Sequence, residues 1–161
     1  MRMALRLSLL LPLVPLAASF AGEPDLRLLG IVIRAPQTTV KAGAPLIVRV
    51  TWRNNQTTEV FIAQAGEPMR FPAHDFVVRD ARGALVPLTP YGQEAYSAVQ
   101  FYGSRGIGHP VPPGGESKAD EYDVTKFFDL KPGTYTIQAT WGRGNVKDPP
   151  ISNTITVTVT P

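Results

Sequence analysis

The chain has 161 residues and no cysteine. Disulfide bonds and thiol nucleophiles are therefore excluded. So is the lipid-modified cysteine that anchors many bacterial envelope proteins. Any folded core must be held together by packing alone.

Long apolar runs are also lacking, except near the N-terminus. Arg2 and Arg6 precede an apolar run over residues 7–17, and small residues flank Phe20 at a cleavage position after Ala21. This pattern predicts a cleavable secretory signal peptide over residues 1–21 and one domain over residues 22–161. A membrane anchor is the alternative, but the run is shorter than the ~20 apolar residues that a spanning helix needs. We expect a secreted or periplasmic protein with no membrane span after cleavage.

Charge is sparse and nearly balanced. The chain carries 16 Lys and Arg against 13 Asp and Glu, and removal of the leader takes away Arg2 and Arg6. No basic run or stripe remains, so nucleic acid is not an expected partner. The scattered charges are typical of a solvated surface.

Catalytic and metal-binding motifs are missing as well. A zinc site needs three or four ligands, usually closely spaced, whereas His74 and His109 stand far apart, so we expect both to be polar loop residues. No Gly-x-Ser-x-Gly elbow is present. We therefore expect neither an enzyme nor a cofactor.

One acidic cluster offers oxygen ligands but not the Asp-x-Asp-x-Asp-Gly spacing of a calcium loop. We interpret it as a solvated acidic face, with a calcium site as the alternative. Its members are Asp120, Glu121, Asp123 and Asp129.

Glycine and proline are plentiful, 30 residues together, and they separate short runs of alternating apolar and polar residues. Such punctuation is typical of all-β proteins. The tight turn over residues 80–83 predicts a positive φ at Gly83, and residues 124–128 are compatible with a single helical turn. The predicted strands cover residues 26–34, 46–54, 59–63, 76–79, 84–86, 95–102, 117–122, 134–141 and 151–160.

Eight or nine short strands without intervening helices favour an antiparallel β-sandwich over a parallel α/β sheet. Two apolar stripes are expected to supply much of the core. They consist of Leu46, Val48, Val50 and Trp52, and of Tyr135, Ile137, Ala139 and Trp141.

The stretch DLKPGTYTIQATW places Tyr135 at the mouth of a strand, just after a Pro-Gly turn. In immunoglobulin-like sandwiches a tyrosine at this place turns back, and its hydroxyl bonds the backbone a few residues upstream. We predict such a tyrosine corner, with Gly133 in the left-handed conformation of the turn. A plain hairpin with Tyr135 as a cross-strand aromatic is the alternative.

Three segments resemble bacterial exported Ig-like domains and are similar to Ig-like domains of the BsuPI proteinase-inhibitor type. They read KAGAPLIVRVTWRNN, FVVRDARGALV and PPGGESKADEYDVTKFFDLKPGTYTIQATW. The resemblance covers most of residues 44–160 and implies an Ig-like sandwich of about 7–9 strands. The family spans inhibitors, adhesive modules and many proteins of unknown role, so it implies no particular site residue.

Residues 88–113 form a long segment that is rich in aromatic side chains. Tyrosine and arginine dominate many recognition surfaces, and long loops are often functional. The candidate binding residues are Tyr91, Tyr96, Phe101, Tyr102 and Arg105. The alternative is that they belong to a strand and fill the core.

The sequence therefore predicts an exported, non-catalytic Ig-like binding or accessory module whose partner is a protein or glycan of the cell envelope. An Ig-like proteinase inhibitor and a structural envelope component are the alternatives.

Overall fold

A computed structural model describes residues 28–63, 74–97, 108–141 and 148–161. The predicted signal peptide over residues 1–21 lies outside these residues, as do Phe101, Tyr102 and Arg105. None of the helices within the described ranges has the length and apolar character needed to cross a membrane.

The described residues form an all-β fold with one short helix. The strands are β1 (Leu29–Arg34), β2 (Thr39–Lys41), β3 (Ile47–Asn54), β4 (Val60–Ala63), β5 (His74–Asp80), β6 (Gly108–Val111), β7 (Asp120–Asp123), β8 (Gly133–Trp141) and β9 (Ile155–Thr160). Helix α1 covers Pro90–Ser97, and a 3-10 turn covers Val124–Lys126.

The strands form two larger sheets and a ribbon. One sheet has the order β1-β3-β7 and is antiparallel throughout. The second has the order β2-β9-β8-β5, in which β2 runs parallel to β9 and the other pairs are antiparallel. Strands β4 and β6 pair as a two-stranded antiparallel ribbon.

Alternating side chains from both larger sheets meet in one core. The stripe Leu46, Val48, Val50 and Trp52 is buried as predicted, and so are Tyr135, Ile137 and Ala139, with Trp141 packed at the margin. Contacts between the sheets include the Trp52 and Trp141 rings, whose centroids lie 5.5 Å apart. Burial of each large apolar side chain contributes about 1.5–3 kcal/mol, which is how the chain folds without disulfides.

Helix α1 replaces part of a predicted strand. The prediction of a strand over residues 95–102 is wrong where the structure describes it, because Ala95–Ser97 are the last turn of α1. Thr89 and Pro90 explain the helix: threonine is a favoured N-cap residue, and proline at the first helical position needs no hydrogen-bond partner for its nitrogen.

Two other predicted strands differ from the structure in their bounds or pairing. Strand β7 begins at Asp120 rather than residue 117, and the segment at 84–86 makes one bridge, Arg79 with Leu85, instead of a strand. The turn before it is as predicted: Gly83 has φ +80°, and the Asp80 side chain accepts hydrogen bonds from the backbone of Arg82 and Ala84. The predicted helical turn at residues 124–128 is present as the 3-10 turn.

The tyrosine corner is present. The Tyr135 hydroxyl donates to the Lys131 carbonyl at 2.7 Å and accepts from the Lys131 amide at 3.0 Å. The predicted left-handed conformation of Gly133 is wrong, because Gly133 is the first residue of β8 and pairs with Val159. The Tyr135 ring folds back over Gly133, where an added Cβ would lie 3.6 Å from the tyrosine hydroxyl.

Tyr135→Phe tests the corner. We expect the free energy of unfolding to fall by about 1 kcal/mol, since the ring stays buried and two hydrogen bonds are lost at a backbone that water can reach. Urea unfolding measures the change, and Thr156→Val, which removes an exposed hydroxyl from β9 and keeps a β-branched side chain, is the control. An unchanged midpoint for Tyr135→Phe would show that the corner bonds contribute nothing to stability.

Candidate functional site

The start of helix α1 is fixed to the 3-10 turn by hydrogen bonds from one residue. The Thr89 hydroxyl accepts from the Gly92 amide at 2.9 Å and donates to the Lys126 carbonyl, and the Thr89 amide donates to the Phe127 carbonyl at 2.9 Å. The cap therefore satisfies a helix-end amide and at the same time holds the helix against the body of the protein.

Tyr91 lies on this fixed helix start and is 43% exposed. One side of its ring packs on Phe127, with centroids 5.5 Å apart and the planes tilted by 47°. The structure thus presents one candidate binding residue as an aromatic on a rigid support.

Tyr96 has a different role on the same helix. It is half-buried, its ring lies near Phe127 and Phe128, and its hydroxyl accepts a hydrogen bond from the Phe76 amide at 3.2 Å. That amide belongs to β5, at the edge of the four-stranded sheet. Tyr96 therefore packs the helix on the core and satisfies a sheet edge, while Tyr91 faces outward.

Other exposed apolar side chains were not singled out from the sequence. Leu85, 64% exposed, lies on the short segment that leads into α1. Phe61 is also exposed, and it lies opposite Pro110 on the β4–β6 ribbon. Leu85 lies opposite Arg79, an exposed residue of β5, and this pairing across the turn is the signal that places the leucine outward.

The two histidines do not form a common site. His109 is exposed on β6, where it pairs with Ile62, so its predicted place in a loop is wrong although its exposure is as expected. His74 was also predicted in a loop, and this is wrong: it is the first residue of β5 and only 1% exposed. The described parts of the chain hold no cluster of three potential metal ligands.

His74 lies in a cluster of aromatic side chains. Its Nδ1 atom is 3.2 Å from the Tyr122 hydroxyl, and the centroids of the His74 and Trp52 rings are 5.7 Å apart. Among the described residues its Nε2 atom is a buried nitrogen without a hydrogen-bond partner. Burial lowers the pKa of His74 to about 4, so the imidazole is neutral at pH 7. The alternation His74, Phe76, Val78 is the sequence signal that places this histidine inward.

The four acidic residues of the predicted cluster do not share a partner. Glu121 pairs with Arg49 at 2.8 Å, and Asp129 pairs with Lys131 at 2.8 Å. Asp123 caps the 3-10 turn by accepting from the Thr125 amide and hydroxyl. Asp120 is half-buried, and burial raises its pKa. Such an arrangement has structural roles and does not gather oxygen ligands around one point.

No protein-family model matches this sequence, and no curated protein matches it.

Proposed function

We propose that the chain is an exported, non-catalytic Ig-like β-sandwich that acts by docking a protein or glycan of the cell envelope. Two features support the Ig-like assignment. The sheet orders β1-β3-β7 and β2-β9-β8-β5 correspond to strands A, B and E on one side and A′, G, F and C on the other, and Tyr135 lies at the start of the strand that corresponds to F.

Tyr91 carries the proposal of docking. Its ring is exposed while its backbone is held by the Thr89 cap and its inner side by Phe127. An aromatic that is already fixed loses little conformational entropy on binding, and tyrosine is enriched among the residues that contribute most to interfaces. Leu85, on the segment that leads into α1, adds exposed apolar area.

Export supports a partner outside the cytoplasm. The basic start, the short apolar run and the small residues before Glu23 are the features of a cleavable leader. The mature domain would then meet envelope proteins and glycans, and no reaction chemistry is needed for its role.

A photocrosslinker at position 91 tests the docking surface. A photoreactive phenylalanine analogue replaces Tyr91 in the mature protein, which is then irradiated in native envelope extract. We expect a discrete crosslinked product, whose sensitivity to protease or to glycosidase separates a protein from a glycan partner. The matched control carries the analogue at Thr156, an exposed position on the outer face of β9.

Competition makes the test quantitative. Unlabelled protein should suppress the crosslink, whereas Tyr91→Ala should need about 30-fold more, as expected for a loss of about 2 kcal/mol at an interface anchor. Thr156→Ala should compete like the unmodified protein. Equal crosslinking from both positions, or full competition by a folded Tyr91→Ala, would contradict docking through this surface. Inhibition of secreted proteases by the same protein would favour the inhibitor alternative instead.

A further inference from the structure

His74 lies at the end of a strand pair. It is the first residue of β5 and pairs with Trp141, the last residue of β8, so the two form the last pair of this ladder within the described residues. Six further pairs, from Asp75 with Thr140 to Asp80 with Tyr135, hold the same two strands together. Pairs at the end of a ladder open at lower cost than central ones, so we expect this end of β5 to separate from β8 before the rest of the sheet opens.

The surroundings of His74 suit a neutral ring only. Trp52 contacts both His74 and Trp141, and Tyr122 lies edge-on to the imidazole at 5.9 Å between centroids. A neutral imidazole leaves Nε2 unsatisfied in either tautomer. A protonated imidazole has two N–H groups. The Tyr122 hydroxyl can accept from the one at Nδ1, but no described residue accepts from the one at Nε2, where a buried positive charge would also lie.

Few charged groups face this histidine. Strand β3 presents Trp52 and β8 presents Trp141, while β7 presents Tyr122 and, two residues earlier on the same side, Asp120. Burial raises the pKa of Asp120 and lowers that of His74, so both are driven toward their neutral forms. Asp75 lies on the other face of β5. The positive charge of Lys118 lowers the pKa of Asp120, but this effect is smaller than that of burial.

We infer that His74 is a proton-operated latch: its protonation opens the β5–β8 end pair and uncovers Trp52 and Trp141, while the rest of the fold stays intact. This inference is independent of docking through Tyr91. The part of the sheet that responds to acid is the end where the His74 imidazole is buried near Trp52 and Trp141.

The direction follows from the two states of the ring. An exposed histidine binds a proton with a pKa near 6.5, and the buried one with a pKa of about 4. The open state therefore binds more protons between pH 6.5 and 4, and opening becomes more favourable as the pH falls through this range. Between pH 7.5 and 5 the opening equilibrium should rise about 30-fold. Glu116, whose pKa the Arg34 guanidinium holds below its usual range, responds at lower pH.

Hydrogen exchange measures the opening directly. Amide protection factors, corrected for the intrinsic pH dependence of exchange, are compared at pH 7.5 and pH 5 in the mature protein. Protection of the Asp75 and Thr140 amides, which belong to the pair next to His74 and Trp141, should fall about 30-fold, and that of residues 155–160 should stay constant. Tryptophan emission should shift to the red over the same range.

Variants at both histidines complete the test. His109→Ala should behave like the unmodified protein, and His74→Phe should lose the pH dependence. In His109→Ala the His74 imidazole can be followed alone by NMR, which does not rely on the folding of a His74 variant. The inference is overturned by pH-independent protection, by an equal loss at residues 155–160, or by a His74 ring that titrates near 6.5 with unchanged protection.

Discussion

Gly92→Ala should destabilise the protein by about 3 kcal/mol, although the same change stabilises an ordinary exposed helix by up to about 1 kcal/mol. Gly92 is buried in α1, and a Cβ built there collides with the Phe127 carbonyl oxygen and lies 3.0 Å from its carbon. These are backbone atoms, so no side-chain rotation relieves the collision. The helix or the segment after the 3-10 turn must shift.

The shift has a further cost. The Phe127 carbonyl that meets the new Cβ also accepts the hydrogen bond from the Thr89 amide, so moving α1 away loosens its cap. Urea unfolding at pH 7 measures the effect. Glu94→Ala, an exposed change on the same helix, is the matched control and should alter stability by less than about 0.5 kcal/mol. An unchanged or raised midpoint for Gly92→Ala would mean that α1 does not approach Phe127 this closely.

Strands with a clear alternating pattern could be predicted from the sequence because one of their faces is buried. Strands β3, β8 and β9 follow this rule, and the apolar phase of each enters the core. Their pairing could not be predicted, because it depends on contacts between distant segments. Thr39 of β2 lies opposite Thr158 of β9, and no local pattern specifies that parallel pair.

Helix α1 was missed because its local signals are few. It has eight residues, one of them glycine, and its buried positions, Gly92 and Ala95, have small side chains. No apolar stripe of the usual width therefore appears in the sequence. The Thr89-Pro90 pair was the available signal, since it combines an N-cap residue with proline at the first helical position.

The candidate site was predictable in composition but not in geometry. Tyr91 and Tyr96 were grouped because both are aromatic, yet five residues on a helix turn the side chains by about 140° relative to each other. Tyr91 consequently faces solvent and Tyr96 faces β5 and Phe127. The predicted strand began at residue 95 and left Tyr91 outside it, so the sequence indicated no relation between the directions of the two side chains.

The fully buried side chain of Asn54 makes three hydrogen bonds to the backbone. It is 0% exposed, and its Nδ2 atom donates to the Thr58 carbonyl at 2.8 Å and to the Val111 carbonyl at 2.9 Å. Its Oδ1 atom accepts from the Gln56 amide at 2.9 Å. One amide group therefore closes the turn after β3 and joins that turn to the β4–β6 ribbon.

Asn54→Ala should lower the free energy of unfolding by about 3 kcal/mol. The Val111 carbonyl is left buried without this donor, and an unsatisfied buried group costs about 1–3 kcal/mol on its own. The loss of the bonds at Thr58 and Gln56 adds to that figure. Asn55→Ala is the matched control, because Asn55 is an exposed neighbour whose own backbone bond to Leu28 is retained. We expect it to change stability by less than about 0.5 kcal/mol.

The effect of Asn54→Ala should also be local before it is global. A two-stranded ribbon is marginal without support, so residues 60–63 and 108–111 should lose hydrogen-exchange protection at denaturant concentrations where β8 and β9 keep theirs. The ribbon contributes three buried side chains to the core, so its release also exposes part of the core; they are Val60, Ile62 and Val111. Uniform loss of protection in all strands would show that the ribbon unfolds only with the whole domain, and an unchanged unfolding midpoint would show that the Asn54 bonds do not hold it in place.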